Sequence, residues 1–119
     1  MKLQEHICGC LSDDHPIAWI GTGDAELKND DVRKAWRICY KEILANVVTM
    51  LLPHHGSKWN FHADLLSSDS LIWCLAAAGE PSPHKHPSVA VVESVHRASK
   101  CFHHTSQRPS TLFCEAFRI

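Results

Sequence analysis

Val47-Val48-Thr49-Met50-Leu51-Leu52-Pro53-His54-His55-Gly56-Ser57 is the stretch on which the reading of this chain turns. The run from Val47 to Leu52 is apolar and rich in β-branched side chains, the pattern of a strand covered on both faces. Pro53 cannot donate to a sheet ladder and ends the strand. Two imidazoles then sit in a short loop closed by Gly56 and Ser57. In α/β sheets, loops at the C-terminal ends of strands are where ligand sites form.

Upstream, Ile17-Ala18-Trp19-Ile20 predicts a second apolar strand, ending in the tight turn Gly21-Thr22-Gly23-Asp24. Asn29, Asp30 and Asp31 supply a helix N-cap and a negative first turn. Val32, Ala35, Trp36, Cys39, Tyr40, Ile43 and Leu44 fall at the spacing of one buried helix face, with Arg33, Lys34, Arg37 and Lys41 opposite. That spacing assigns Trp36 and Tyr40 to the core.

Downstream, Asn60 is placed to cap a short helix from Phe61 to Leu66, and Leu71 to Ala78 reads as another buried strand. Pro87 and Ser88 open a helix to about Ala98. Cys101–Thr105 and Thr111–Phe117 read as two final strands. The order is β-α-β-(α)-β-α-β-β, an α/β layered fold. Residues 1–16 form a poorly specified lead-in to a single unit spanning 17–119.

At 119 residues with 45% hydrophobic and 21% charged side chains, the composition is that of an ordinary globular domain. A formal net charge of −1 gives no electrostatic case for a nucleic-acid or membrane partner, although it leaves room for a local basic groove. The longest apolar run, Leu71–Ala78, is too short to span a bilayer. The N-terminus lacks the apolar run of a signal peptide, and the six cysteines are scattered. The expectation is a cytoplasmic protein with reduced, mostly buried thiols.

Ten histidines stand out, three groups of them clustered: His54-His55, His84-x-His86 and His103-His104. Imidazole is the commonest protein metal ligand and an acid or base near neutral pH. Asp24 and the His54-His55 pair leave the ends of predicted strands, so a carboxylate and an imidazole could share a divalent cation such as zinc. Each loop alone has a blander reading as a plain turn. Together, in this order with a helix between them, they are more specific. Cys8-x-Cys10 with His15 is a partial zinc pattern without an evident fourth ligand. His103 and His104 read as surface or edge residues, and His84 and His86 as loop residues. The chain has no P-loop, nucleophile elbow or dinucleotide fingerprint.

Strand, Thr-Gly-Asp-Ala, helix, apolar strand, then Pro-His-His-Gly-Ser resembles the second half of metallo-β-lactamase-fold hydrolases, most of all the branch that includes the hydrolase domain of the DNA-uptake protein ComEC. The resemblance runs over about residues 17–117 and continues through His86-Pro87 and the helix after it. It implies the C-terminal half of an αβ/βα sandwich. It also implies a metal-bridging role for Asp24 and a ligand role for His55, with His54 beside it. Ser57 and His86 would border the substrate cleft. The cofactor would be a divalent metal, zinc or manganese. The reaction would be hydrolysis of phosphodiester or related ester bonds, nucleic acid and nucleotides being among the substrates of the superfamily.

The family's first-half His-x-His-x-Asp-His signature is absent, and sixteen residues before the first matching strand leave no room for it. Asp24 and His55 are two ligands where a closed site needs about four. The expectation is a partial domain, inactive alone, whose partner is a chain supplying the N-terminal half. The alternative is a non-catalytic α/β interaction module. A half-domain would leave Val47–Leu52 and Leu71–Ala78 partly bare, and bare apolar surface drives association.

Overall fold

Four strands and the elements between them make up residues 18–80 and 85–115, the part of the chain that this computed structural model describes. The strands are β1 (Ala18–Gly21), β2 (Val47–Leu51), β3 (Trp73–Ala77) and β4 (Cys101–Thr105). They form one sheet in the order β1-β2-β3-β4, every neighbouring pair parallel. Parallel neighbours need a crossover. Helices α1 (Asp30–Cys39) and α2 (Lys41–Leu44) supply the first, and α3 (Val89–Arg97) supplies the third. Between β2 and β3 the chain makes a left-handed turn at Pro53–Gly56 and a short 3-10 turn at Ala63–Leu66.

Local chemistry sets the ends of these elements. The Asn29 side chain accepts a hydrogen bond from the Val32 N–H at 3.1 Å, capping α1. Helix α3 ends with Ser99 at φ 58, where Ser99 N–H donates to His96 O and Lys100 N–H to Val95 O. Those paired bonds satisfy the last carbonyls of the helix. The short helix expected after Asn60 is the 3-10 turn Ala63–Leu66, capped by His62.

Register sorts the sheet into two faces, because side chains alternate along a strand. Ile20, Met50, Cys74 and Phe102 lie in one row across the four strands. They pack with Leu27, Leu65, Leu66, Val91 and Val95, with Trp36, Leu44 and Ala98 at the margin, so α3 covers this face and α1 reaches only its margin. Each fully buried aliphatic side chain there stabilises the fold by about 1.5–3 kcal/mol relative to exposure.

The opposite face carries Trp19, Thr49, Trp73, Leu75, Cys101 and His103. The segment after β4 folds back over it. Phe113 packs edge-on against Trp73 at 5.2 Å and against His103 at 5.4 Å, and His103 Nε2 donates to Thr111 O at 2.7 Å. The Thr49 hydroxyl, fully buried, donates to the Glu115 carboxylate. Trp19, at the β1 edge, stays 58% exposed.

Several expectations change against this framework. Thr111–Phe117 is not a strand over its described part. Pro109–Thr111 is a 3-10 turn, and Thr111 Oγ1 accepts from Ser106 N–H and donates to Arg108 O. Those local bonds compete with a sheet ladder. Val47–Leu52 and Leu71–Ala78 are covered over most of their length: Val47, Thr49, Met50, Leu52, Leu71, Cys74, Leu75 and Ala76 are buried, Val48, Leu51, Trp73, Ala77 and Ala78 are half-buried, and Ile72 is exposed.

The expected buried face of α1 is mostly at the surface, with Val32, Ala35, Cys39, Tyr40 and Ile43 exposed. Only Trp36 and Leu44 reach the core margin, and Tyr40 lies against Trp36 at 5.6 Å. Arg33, assigned to the solvent face, is buried. Its guanidinium donates to Leu27 O, Lys28 O and the Asp30 carboxylate, which compensates the charge. Of the described cysteines, Cys74 is buried, but Cys39 and Cys114 are exposed, not buried. No described helix is long and apolar enough to cross a membrane. The lead-in at 1–16, Cys8, Cys10, His15 and His84 lie outside the described residues.

Candidate metal centre

The C-terminal ends of β1 and β2 open into loops 22–29 and 52–57, and the described residues 78–80 and 85–88 follow β3. Backbone hydrogen bonds tie the first two together. Thr22 donates through both its N–H and its hydroxyl to Leu51 O, at 3.4 and 2.8 Å. His54 N–H donates to Gly23 O at 2.8 Å. Gly23 sits at φ 55, in the left-handed region that glycine enters without strain. Asp24 therefore comes directly after the residue that holds the histidine loop. The Asn60 amide donates to the carbonyls of Asp24 and Ala25, at 3.5 and 3.4 Å, so the backbone of Asp24 is fixed while the residue stays exposed.

The histidine loop is unusual in its backbone. His54 (φ 46, ψ 54) and His55 (φ 59, ψ 24) are both left-handed, and Gly56 comes next at φ 80. A left-handed non-glycine residue costs roughly 1–2 kcal/mol. The strained turn swings both rings to the end of the sheet. His55 Nδ1 lies 2.6 Å from Ala77 O. A carbonyl can only accept, so Nδ1 carries the proton, which leaves Nε2 as the ring atom available to a ligand. This is the arrangement found behind metal-bound histidines, where a carbonyl fixes ring and tautomer.

Residues 85–88 join them. Ser88 N–H donates to Gly56 O at 3.0 Å, and a Cβ on Gly56 would lie 2.9 Å from Pro87 Cβ. This close approach brings His86, half-buried, within 5.7 Å of the His54 ring and 6.5 Å of the His55 ring, centre to centre. His54 and His55 are 5.7 Å apart and perpendicular. Three imidazoles thus cluster at one strand end. Among the described residues no three His, Cys, Asp or Glu side chains converge to hold a metal ion. The donors are of the right kind for zinc, but they do not close a site by themselves.

Of the sequence-predicted site residues, His54, His55 and His86 come together, and Asp24 sits on the loop bonded to theirs. Ser57 lies inside the loop, 3% exposed, with its hydroxyl accepting from Trp59 N–H at 3.2 Å. His103 and His104, on the edge strand β4, are half-buried and bonded to carbonyls, His104 Nε2 to Ala78 O at 2.9 Å. Sequence reasoning passed over the role of Asn60 and the exposed Trp59. An amide and an aromatic directly behind a His-His-Gly-Ser loop were the available signals.

With this geometry in place, one similarity bears on it. The chain is 30% identical over 101 residues to Recombination protein 2 of Haemophilus influenzae. The match takes in 85% of this chain and 12% of that protein's length. No family model matches the chain, and no solved structure does.

Proposed function

We infer that this chain contributes the second half of a metal-dependent hydrolase centre of the metallo-β-lactamase type, acting on phosphodiester or related ester bonds. The observation that carries the reading is the His55 ring. Its Nδ1 is tied to Ala77 O at 2.6 Å, its Nε2 is left to bind, and its backbone is held in a strained turn beside the Asp24 loop. Strain of this kind clusters at functional sites. Asp24 and His55 would hold the metal, with His54 and His86 in the same cluster. A bound zinc or manganese would supply a Lewis acid and a water of lowered pKa. The protein's part is to fix the ring tautomer, hold the carboxylate loop against the histidine loop, and keep Pro87 against Gly56. The remaining ligands would come from a segment carrying His-x-His-x-Asp-His.

The test is complementation. Joined to or mixed with such a half-domain, the chain should hydrolyse a chromogenic phosphodiester in zinc or manganese. Asp24→Ala should abolish that activity. Full activity of Asp24→Ala and His55→Ala together would remove the basis of the proposal.

The exposed Val32, Cys39 and Ile43 on α1–α2 favour a second reading, a non-catalytic module that docks a partner on that side. A chain that stays monomeric in sedimentation and gains no activity on complementation, yet captures a partner through α1, would favour it.

A further inference from the structure

Helix α1 turns two different edges to solvent. Val32 and Cys39 lie on one, while Lys34, Arg37 and Ile38, continued by Lys41 at the start of α2, share the other at helical spacing. That second edge lines a groove of about 540 Å³, a volume in the range of ligand sites. Asp30, Arg33, Leu44 and Asp64 complete the lining. Its two sides are tied together. Arg37 crosses to the Ala63–Leu66 turn, donating to Asp64 O at 2.7 Å and to Ser67 Oγ at 3.0 Å. Buried Arg33 reaches the Asp64 carboxylate at 3.4 Å.

The lining holds four cationic side chains against two carboxylates. Both carboxylates are committed to Arg33, Asp30 at 2.6 Å and Asp64 at 3.4 Å. Lys34, Arg37 and Lys41 form no ion pair among the described residues, and the bonds of Arg37 go to neutral oxygens. Like charges three and four residues apart repel along a helix. Ile38, on the same edge, is 68% exposed, and Leu44 adds a half-buried apolar side chain. A chain of net charge −1 thus gathers uncompensated cations around apolar surface in one groove. We propose that this groove docks a short acidic peptide segment of another protein. An apolar side chain of the peptide seats on Ile38 and Leu44, and its carboxylates meet Lys34, Arg37 and Lys41. Charge complementarity selects the acidic partner, and the apolar surface selects a peptide over a nucleic acid. No aromatic side chain lines the groove for a base to stack on. The groove lies on the opposite edge of α1 from Val32 and Cys39, so the proposal stands apart from both readings above.

The test measures peptide binding and not turnover, so it succeeds or fails separately from the hydrolase reading. Peptides are selected against the full chain from a random library displayed on phage. The best binder is labelled with fluorescein and followed by anisotropy. Selected peptides should carry Asp and Glu around an apolar residue. Lys34→Glu with Lys41→Glu should weaken binding roughly tenfold, because two attractions become repulsions. Lys34→Arg with Lys41→Arg should keep the affinity. Ile38→Ser should weaken binding roughly threefold, and serine in place of the peptide's apolar residue should do the same. Raised salt should weaken the wild-type complex, since the charges involved are exposed. Val32→Ser, on the other edge of α1, should bind like wild type. The substituted side chains are exposed, so the urea midpoint should stay at the wild-type value and separate lost binding from lost folding. The proposal is overturned if no peptide is enriched or the enriched peptides are not acidic. It is equally overturned if charge reversal or Ile38→Ser leaves the affinity unchanged, if Val32→Ser weakens it as much, or if a single-stranded oligonucleotide displaces the peptide and binds more tightly.

Discussion

Replacing Gly56 by alanine tests whether the histidine loop is really locked against the His86-Pro87 turn. Gly56 sits at φ 80, and a Cβ there would lie 2.9 Å from Pro87 Cβ, 3.2 Å from Ala76 Cβ and 3.3 Å from Pro87 Cα. The substitution carries two costs. The left-handed backbone costs an alanine roughly 1–2 kcal/mol. Forcing a methyl into packed neighbours costs about 1–3 kcal/mol more. The sum is about 2–5 kcal/mol, a large part of the roughly 5–15 kcal/mol that stabilises an ordinary domain.

Gly23→Ala is the matched control. Gly23 is also left-handed, at φ 55, but its Cβ would meet nothing within 4 Å. It should lose only the backbone cost, about 1–2 kcal/mol. Urea unfolding monitored by tryptophan fluorescence reads both variants. With a slope of about 1–3 kcal/mol per molar urea, Gly56→Ala should move the midpoint clearly further than Gly23→Ala. Equal midpoints for the two variants would refute the argument, because they would show that Pro87 and Ala76 do not press on Gly56. His86 would then lose its structural tie to the other two rings.

Further outcomes are expected. In the complemented protein, His55→Ala should reduce phosphodiester hydrolysis by more than the roughly 10–100-fold typical of an outer-shell loss, while His54→Ala falls less. Burial pushes the Cys74 thiol from its ordinary 9.0 up to about 12, since an ionised sulfur among apolar side chains is poorly solvated. The unfolded chain then releases this proton at a lower pH than the folded one, so Cys74 contributes stability below about pH 9 that is lost as pH rises towards about 12. Cys74→Ala should flatten that part of the stability profile in urea titrations, and a thiol reagent should modify exposed Cys39 well before Cys74 in the native chain. Arg33→Leu, which leaves two backbone carbonyls and Asp30 without their donor, should lower stability by about 2 kcal/mol or more in the same unfolding assay.

The parts legible in the sequence are those where one local signal decided the outcome. Strand β2 could be read from an apolar run closed by Pro53, and α1 began where Asn29 announced a cap. Strand β4 and the start of α3 after Ser88 were set equally locally. The features that stayed hidden depended on distant partners. Periodicity shows which residues of α1 share a face, but not whether anything covers that face, and Val32 and Ile43 ended at the surface. The burial of Arg33 depends on carbonyls freed by the turn at Leu27–Lys28. The cover over Thr49 comes from Glu115, 66 residues away. At the candidate site, the histidine pair could be read from its motif. The arrival of His86 depended on the fit of Pro87 against a glycine, which no local pattern encodes.

The strain in the histidine loop gives the functional reading its energetic footing. Four residues other than glycine have positive φ among the described residues: His54, His55, Lys85 and Ser99. Ser99 is accounted for by the end of α3. His54 and His55 are a successive pair with no helix to terminate, and together they cost roughly 2–4 kcal/mol. Four hydrogen bonds hold the turn: His54 N–H to Gly23 O, His55 Nδ1 to Ala77 O, Ser57 N–H to His54 O, and Ser88 N–H to Gly56 O. At a net of about 0.5–1.5 kcal/mol each they contribute roughly 2–6 kcal/mol, enough to offset the strain. A turn needed only to connect β2 to the Ala63–Leu66 turn could relieve that strain with glycine or asparagine at either position. Imidazoles there instead gain something that stability does not require: two rings at the strand ends, one with its tautomer fixed by a backbone carbonyl. That combination is costly for a connector and useful to a ligand, which is the physical reason to look for metal at this loop before any other.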